Sequence, residues 1–236
     1  MRTLLVIFIA LTAIVENFST CQTQGEKNKA DKSYQKFVDK FADVSVPVNF
    51  KKMKLSGVDM TIEEATRFMG KSEKDLHYEV YLPYITEDGK EGEDTEMEEN
   101  LPGCVFKYNL NDSINILCTV ELKQGDTDTT FVALNSFSLN GQLIDRCAIV
   151  KEIANIQDCS SFILLDKTHL RIFYYKENSE QTEGTCNSTC FYKNYEITNT
   201  GKFIEKDKSD IMCLKKSASS YCSYNKDSDD PMNEYQ

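Results

Sequence analysis

From residue 104 to residue 206 the chain is a succession of short apolar, β-rich runs separated by turn residues. That pattern restricts it to an antiparallel arrangement of hairpins. Cys104–Leu110 and Ile114–Leu122 flank Asn111-Asp112-Ser113. Phe131–Leu139 and Gln142–Val150 flank Asn140-Gly141, which predicts a two-residue hairpin turn, since both turn positions need positive φ. Phe162–Leu165 and Leu170–Tyr175 flank Asp166-Lys167-Thr168. Phe191–Thr198 and Lys202–Lys206 flank Asn199-Thr200-Gly201, a three-residue loop with Gly at the left-handed position. Two of these hairpins echo one another: Phe137–Arg146 and Tyr195–Lys206 both read apolar-x-apolar, an Asn/Gly turn, two apolar residues, an acid and a base. A fainter third copy, Tyr84–Lys90, lacks an apolar return strand. Such spacing suits a meander or part of a propeller.

Upstream of the β-rich region the period is helical. Tyr34, Phe37, Val38 and Phe41 fall at i, i+3, i+4 and i+7, one apolar stripe. Val44 to Phe50, around Pro47, reads as an extended connector. Thr61-Ile62-Glu63-Glu64 is a capping box that opens a second short helix through Ile62, Ala65, Phe68 and Met69, with Gly70 at its stop. Tyr78–Leu82 then alternates as a strand ending at Pro83. Residues 87–100 are strongly acidic and read as a solvated loop. A calcium loop is the sharper alternative, with Asp88, Glu91, Glu93, Asp94 and Glu96 as oxygen donors, although the regular EF-hand spacing is missing.

The N-terminus reads as an address. Met1-Arg2-Thr3 is basic and Leu4–Val15 is apolar, too short to cross a bilayer of ~30 Å as a helix. Residues 1–20 are therefore expected to be a secretory signal peptide. Phe18-Ser19-Thr20-Cys21 resembles a lipobox, which makes Cys21 the candidate lipidation site and 21–33 a polar tether. Ordinary cleavage to a secreted protein is the rival reading. The remainder divides into a helical segment (34–76), an antiparallel β domain (77–222) and a polar, acidic tail (223–236) expected to fray.

Removing Cys21 leaves eight cysteines: Cys104, Cys118, Cys147, Cys159, Cys186, Cys190, Cys213 and Cys222. In an exported chain an even set is a disulfide framework. Eight cysteines allow 105 pairings. Pairing of sequence neighbours, each couple bracketing a turn, gives 104–118, 147–159, 186–190 and 213–222. Zinc is a poor alternative, because Cys186-x-x-x-Cys190 is the one tight pair.

Composition removes whole classes of function. A net charge of −11 disfavours nucleic acid and an anionic membrane surface, leaving a lipid anchor as the route to a membrane. No glycine-rich phosphate loop occurs, and His77 and His169 are the only histidines, so no cofactor and no metal is expected. Phe173-Tyr174-Tyr175 and Phe191-Tyr192 could line a sugar or peptide groove, but strand alternation points to the core. Asp145 and Glu205 follow equivalent turns and could be imagined as two glycosidase carboxylates; surface pairing with the adjacent Arg146 and Lys206 is the plainer expectation. His169, beside Asp166 and Arg171, is expected to make a cross-strand hydrogen bond.

The layout resembles a group of uncharacterised exported proteins and lipoproteins of the Bacteroidetes. These carry a signal peptide, an F-x-x-F helix, a V-x-x-P connector and strands with D/N-x-x-G-K-x-I-D/E turns. Phe37 and Phe41 (one residue wider), Val44–Val48, Gly141–Asp145 and Gly201–Glu205 hold those places here. The eight additional cysteines depart from that group. The resemblance implies export and envelope anchorage and carries no catalytic residue. A eukaryotic secreted protein stays in play, and then Asn111 and Asn187 would be glycosylation acceptors. A lipocalin barrel is set aside because the chain has no Trp for its G-x-W start. The expectation is a mainly β, disulfide-stapled meander with two short N-terminal helices. Its expected role is a non-catalytic binding or interaction module, with a protein or glycan partner at the cell surface. The alternatives are a carboxylate hydrolase or a calcium-dependent module.

Overall fold

The computed structural model describes residues 31–53, 58–85, 91–123, 129–153, 158–178, 186–218, 221 and 231–232. The protein is mainly β. The first sheet holds β1 (Ala42–Asp43), β3 (Val58–Asp59), β6 (Gly103–Asn111), β7 (Ile114–Lys123), β8 (Thr129–Ser138) and β9 (Leu143–Ile153). Its order is β1-β6-β7-β8-β9, with β3 also on β6. The second holds β2 (Val48–Asn49), β10 (Asp158–Leu164), β11 (His169–Glu177), β12 (Ser188–Ile197), β13 (Phe203–Lys208) and β14 (Met212–Leu214). Its order is β13-β12-β11-β10-β2, with β14 also on β12. From β6 to β13 every consecutive pair within a sheet is antiparallel, so the hairpins read from sequence form a meander that splits into two sheets.

The acidic segment departs from the expected loop. Residues 91–99 form β5, laddered antiparallel to β4 (His77–Ile85) from His77↔Glu99 to Ile85↔Glu91. The faint third hairpin thus has its return strand, acidic rather than apolar. Asp88 lies outside the described residues.

Alternation drives the layering. One side of the long strands β6–β12 feeds a core shared by the two sheets. Phe106, Ile116, Cys118 and Leu134 come from the first sheet; Phe162, Leu164, Leu170 and Ile172 come from the second. The irregular connector closes one flank, where Phe50 stacks on Phe162 at 4.7 Å.

The outer faces are covered too, which alternation alone does not announce. Helices α1 (Lys32–Val38) and α2 (Ile62–Met69) lie on the first sheet, where Tyr34, Phe37, Phe68 and Phe137 interlock with centroids 4.7–6.2 Å apart. Helix α1 begins at Lys32, two residues before the apolar stripe, because Asp31 caps it through Ser33 N–H at 3.0 Å. In α2 both arms of the capping box form, and Gly70 takes φ 65° at the stop. Lys40 joins the helices through Glu64 at 2.5 Å. The far side of the second sheet is covered by the C-terminal segment. Ala218, Tyr221 and Met232 bury Phe173 and Tyr175, and Tyr175 stacks on Tyr221 at 5.8 Å. Within the stretch expected to fray, Met232 is 1% exposed and packs in this cluster; residues 222–230 and 233–236 lie outside the described residues.

The two echoing turns are built alike. Ser138 N–H donates to Gln142 O at 3.0 Å and Thr198 N–H to Lys202 O at 2.9 Å; Gly141 N–H and Gly201 N–H donate back to Ser138 O and Thr198 O. Gly141 and Gly201 have φ 84° and 82°. Both are three-residue loops, so Leu139-Asn140-Gly141 replaces the expected two-residue Asn-Gly turn. In this form the left-handed twist is needed only at the glycine. The two turns meet across the sandwich: Ser136 Oγ–H donates to Gly201 O at 2.6 Å and Phe203 N–H to Asp145 Oδ2 at 2.9 Å.

The cysteine pairing is not sequential. Cys186 bonds Cys213, with Cα atoms 5.2 Å apart, tying the start of β12 to β14. Cys186 and Cys190 are four residues apart along nearly extended chain, about 13 Å, beyond any disulfide. Cys104 and Cys118 sit on opposite faces of the first sheet, one under the helices and one in the central core. Cys147 points into that core while Cys159 lies on the outer side of the second sheet, and Cys159 is disulfide-bonded elsewhere. Cys104, Cys118 and Cys147 are buried thiols; Cys190 is buried on the face of Cys159. Cys21 and Cys222 lie outside the described residues.

Candidate functional site

Burial falls off across the inner face of the second sheet. Leu164, Leu170 and Ile172, on β10 and β11, are fully buried. Towards β13 the inward positions become half-buried or exposed: Tyr174, Phe191, Lys193, Tyr195, Glu205 and Lys208. Cross-strand register puts them together. Tyr174 pairs with Phe191, Ile172 with Lys193 and Leu170 with Tyr195. On the next strand Tyr195 pairs with Glu205 and, past a β-bulge at Asn194/Tyr195, Lys193 pairs with Lys208.

The resulting face is aromatic with charge set into it. Tyr174 and Phe191 stack at 4.9 Å, and Lys208 Nζ lies 4.0 Å from the Phe191 ring centre. Lys193 Nζ donates to Glu205 Oε2 at 2.7 Å, and Tyr195 O–H donates to the same oxygen at 3.3 Å. The Lys193 bond holds the Glu205 carboxyl below the usual range and raises the Lys193 ammonium in return. Burial pushes the Tyr174 and Tyr195 phenols up, and their hydroxyls are linked to each other. The Cys147 thiol lies behind them, raised to about 12 chiefly by burial. The face thus sets a lysine–carboxylate pair and two linked phenols beside stacked aromatic rings.

The carboxylates considered as a glycosidase pair have separate duties. Asp145 caps the start of β13 through Phe203 N–H, and Glu205 belongs to the Lys193 pair. Neither forms an ion pair with the side chain of its neighbouring base among the described residues; Asp145 Oδ1 accepts the Arg146 backbone N–H at 3.0 Å. Arg146 instead reaches Glu121, which also takes Lys71 at 2.6 Å, and Lys206 pairs with Glu196 at 2.5 Å. Glu121 is 8% exposed. Burial raises its carboxyl, but the Lys71 hydrogen bond and the Arg146 charge outweigh it and hold it low. His169 bonds Asp166 Oδ2 at 2.8 Å within its own turn, not across strands, because Asp166 already caps that turn through Thr168 and His169 N–H. His77 is turned to Glu73 O at 2.8 Å. Among the described residues, no three His, Cys, Asp or Glu gather as a metal site would, and no helix is long and apolar enough to cross a membrane.

Of the aromatic candidates, Phe173 and Tyr175 serve the C-terminal cover, while Tyr174 and Phe191 reach the open face; Tyr192 packs with Phe173 and carries Arg171 over its ring at 4.0 Å. Sequence reasoning missed Lys193, Tyr195 and Lys208, because their meeting depends on the bulge, which has no sequence signal of its own. The two sequon asparagines are engaged: Asn111 Nδ2 donates to Asn199 O and Asn187 Nδ2 to Lys215 O. A second, open groove of about 490 Å³ lies along the connector, lined by Val44, Pro47, Val48, Lys52 and Ile163 among others. No protein family, no curated protein and no solved structure matches the chain.

Proposed function

We propose that the protein is an exported, non-catalytic binding module and that it binds through the half-open face formed by Tyr174, Phe191 and Tyr195. The observation behind this reading is that stacked aromatic rings remain half-exposed on the inner side of a sheet whose neighbouring positions Leu164, Leu170 and Ile172 are fully buried. Aromatic side chains left at the rim of a core, with polar groups set among them, are the usual makings of a small-molecule or glycan contact. Export rests on the apolar segment at 4–15, and a lipid on Cys21 would hold the module at an envelope.

Two measurements test this. Titration with N-phenyl-1-naphthylamine, a neutral fluorescent aromatic, is expected to show one saturable site that Phe191→Ser weakens at least fivefold. Saturable binding that ignores Phe191→Ser and Tyr174→Ser, or no binding at all, would reject the assigned face. Intact mass of the natural protein tests the anchor. A mature N-terminus at Cys21 with acyl mass supports it, and an unacylated product discards it.

A further inference from the structure

We infer that the ligand of this face is a small, flat, apolar molecule carrying one anionic group, an aromatic carboxylate or sulfonate in chemical class. The inference rests on the proposed binding face and adds the charge of its occupant. Its ground is the pairing of Lys193 with Lys208 directly across β12 and β13. Cross-strand partners share one side of a sheet, and like charges set opposite each other destabilise it. One of the two ammoniums is compensated, since Lys193 bonds Glu205 at 2.7 Å. Lys208 has no carboxylate within ion-pair distance among the described residues; its Nζ rests on the Phe191 ring at 4.0 Å. The face therefore holds two lysines against Glu205 in a chain of net charge −11. An anion placed between Lys193 and Lys208 relieves the repulsion. Its apolar body then lies over Tyr174 and Tyr195, whose rings are half-exposed beside it. A neutral ligand gains the ring contact and leaves the repulsion in place.

The test compares 8-anilinonaphthalene-1-sulfonate with N-phenyl-1-naphthylamine, two fluorescent probes of like shape that differ by the sulfonate. The anionic probe is expected to bind about tenfold more tightly, an advantage that added salt erodes. Lys208→Met should cost the anionic probe about fivefold and leave the neutral probe within a factor of two, while Lys208→Arg keeps the preference. Because Lys208 is exposed, Lys208→Met should fold, and loss of the like-charge pair should leave its melting temperature unchanged or raised. Equal binding of both probes, or an anionic preference untouched by Lys208→Met, overturns the inference and leaves the binding face standing. Failure of both probes to bind removes the face and the inference with it.

Discussion

Substituting alanine at Gly141 and at Gly201 separates backbone strain from packing in one molecule. The two glycines hold the same place in equivalent turns, with φ 84° and 82°. A side chain in the left-handed region costs about 1–2 kcal/mol at either position. The surroundings differ. A Cβ at Gly141 meets two Tyr34 ring carbons at 3.0 Å and Phe68 at 3.1 Å, whereas one at Gly201 meets Ser136 Oγ at 3.2 Å. Tyr34 cannot swing aside, since it is 2% exposed and lodged against Phe37, Phe68 and Phe137. Forcing a methyl against a packed ring cluster adds about 1–3 kcal/mol. Gly141→Ala should thus lose about 2–5 kcal/mol and Gly201→Ala about 1–2 kcal/mol. Urea denaturation followed by circular dichroism measures both; with unchanged m the difference appears in the midpoint. Equal losses, or a larger loss at Gly201, would refute the claim that the helical layer clamps the 139–141 turn.

Three further outcomes are expected. The Cys186–Cys213 bond closes a loop of 27 residues, and a Cys186→Ser/Cys213→Ser variant should be less stable by about 3.5 kcal/mol; an unchanged melting temperature would show that the staple does not hold β14. Glu121, with its carboxyl lowered in the fold, contributes stability above its unfolded value of 4.5 and loses it as pH falls through the folded value. Denaturation from pH 7 to pH 3 should therefore decline more steeply in the natural protein than in Glu121→Gln, and parallel curves would discount the Lys71–Glu121–Arg146 cluster. Cys104 and Cys147, with thiols near 12, and Cys118, raised further by complete burial, should resist a thiol reagent at pH 8 until urea unfolds the chain; rapid native labelling of any of the three would contradict their burial.

Local signals proved legible where the chain makes contacts within a few residues. The capping box at Thr61–Glu64, the stop at Gly70 and the loop at Asn199–Gly201 were all readable, because each is fixed by side chains reaching their own backbone. The hairpins of β6 to β13 followed from alternation. Partnerships between distant segments were not readable. Cys186 joins Cys213 rather than a nearer cysteine because strand direction and face decide which sulfurs meet, and neither shows in spacing. The acidic run at 91–99 reads as solvated by composition, yet backbone pairing with 77–85 makes it a strand. Arg146 seeks Glu121 instead of Asp145 for the same reason: cross-sheet geometry outranks adjacency. At the proposed face, Tyr174 and Phe191 were candidates from the start, but the meeting of Lys193 with Lys208 needs a bulge that only the folded ladder displays.

The C-terminal cover of the second sheet carries a consequence for the order of events in biosynthesis. Strands β10 to β12 leave the ribosome before Leu214, Ala218, Tyr221 and Met232, which later bury Phe173, Tyr175 and Cys190. Until those residues arrive, one side of the sheet stands bare, with Cys190 accessible and Cys186 still without Cys213. During that interval the newborn chain can aggregate through the bare side or oxidise to the wrong cysteine. Threading through an export channel as an unfolded chain, and oxidation after the last segment has crossed, would close that window. A copy stalled just short of Cys213 should accumulate mixed disulfides that the finished chain avoids.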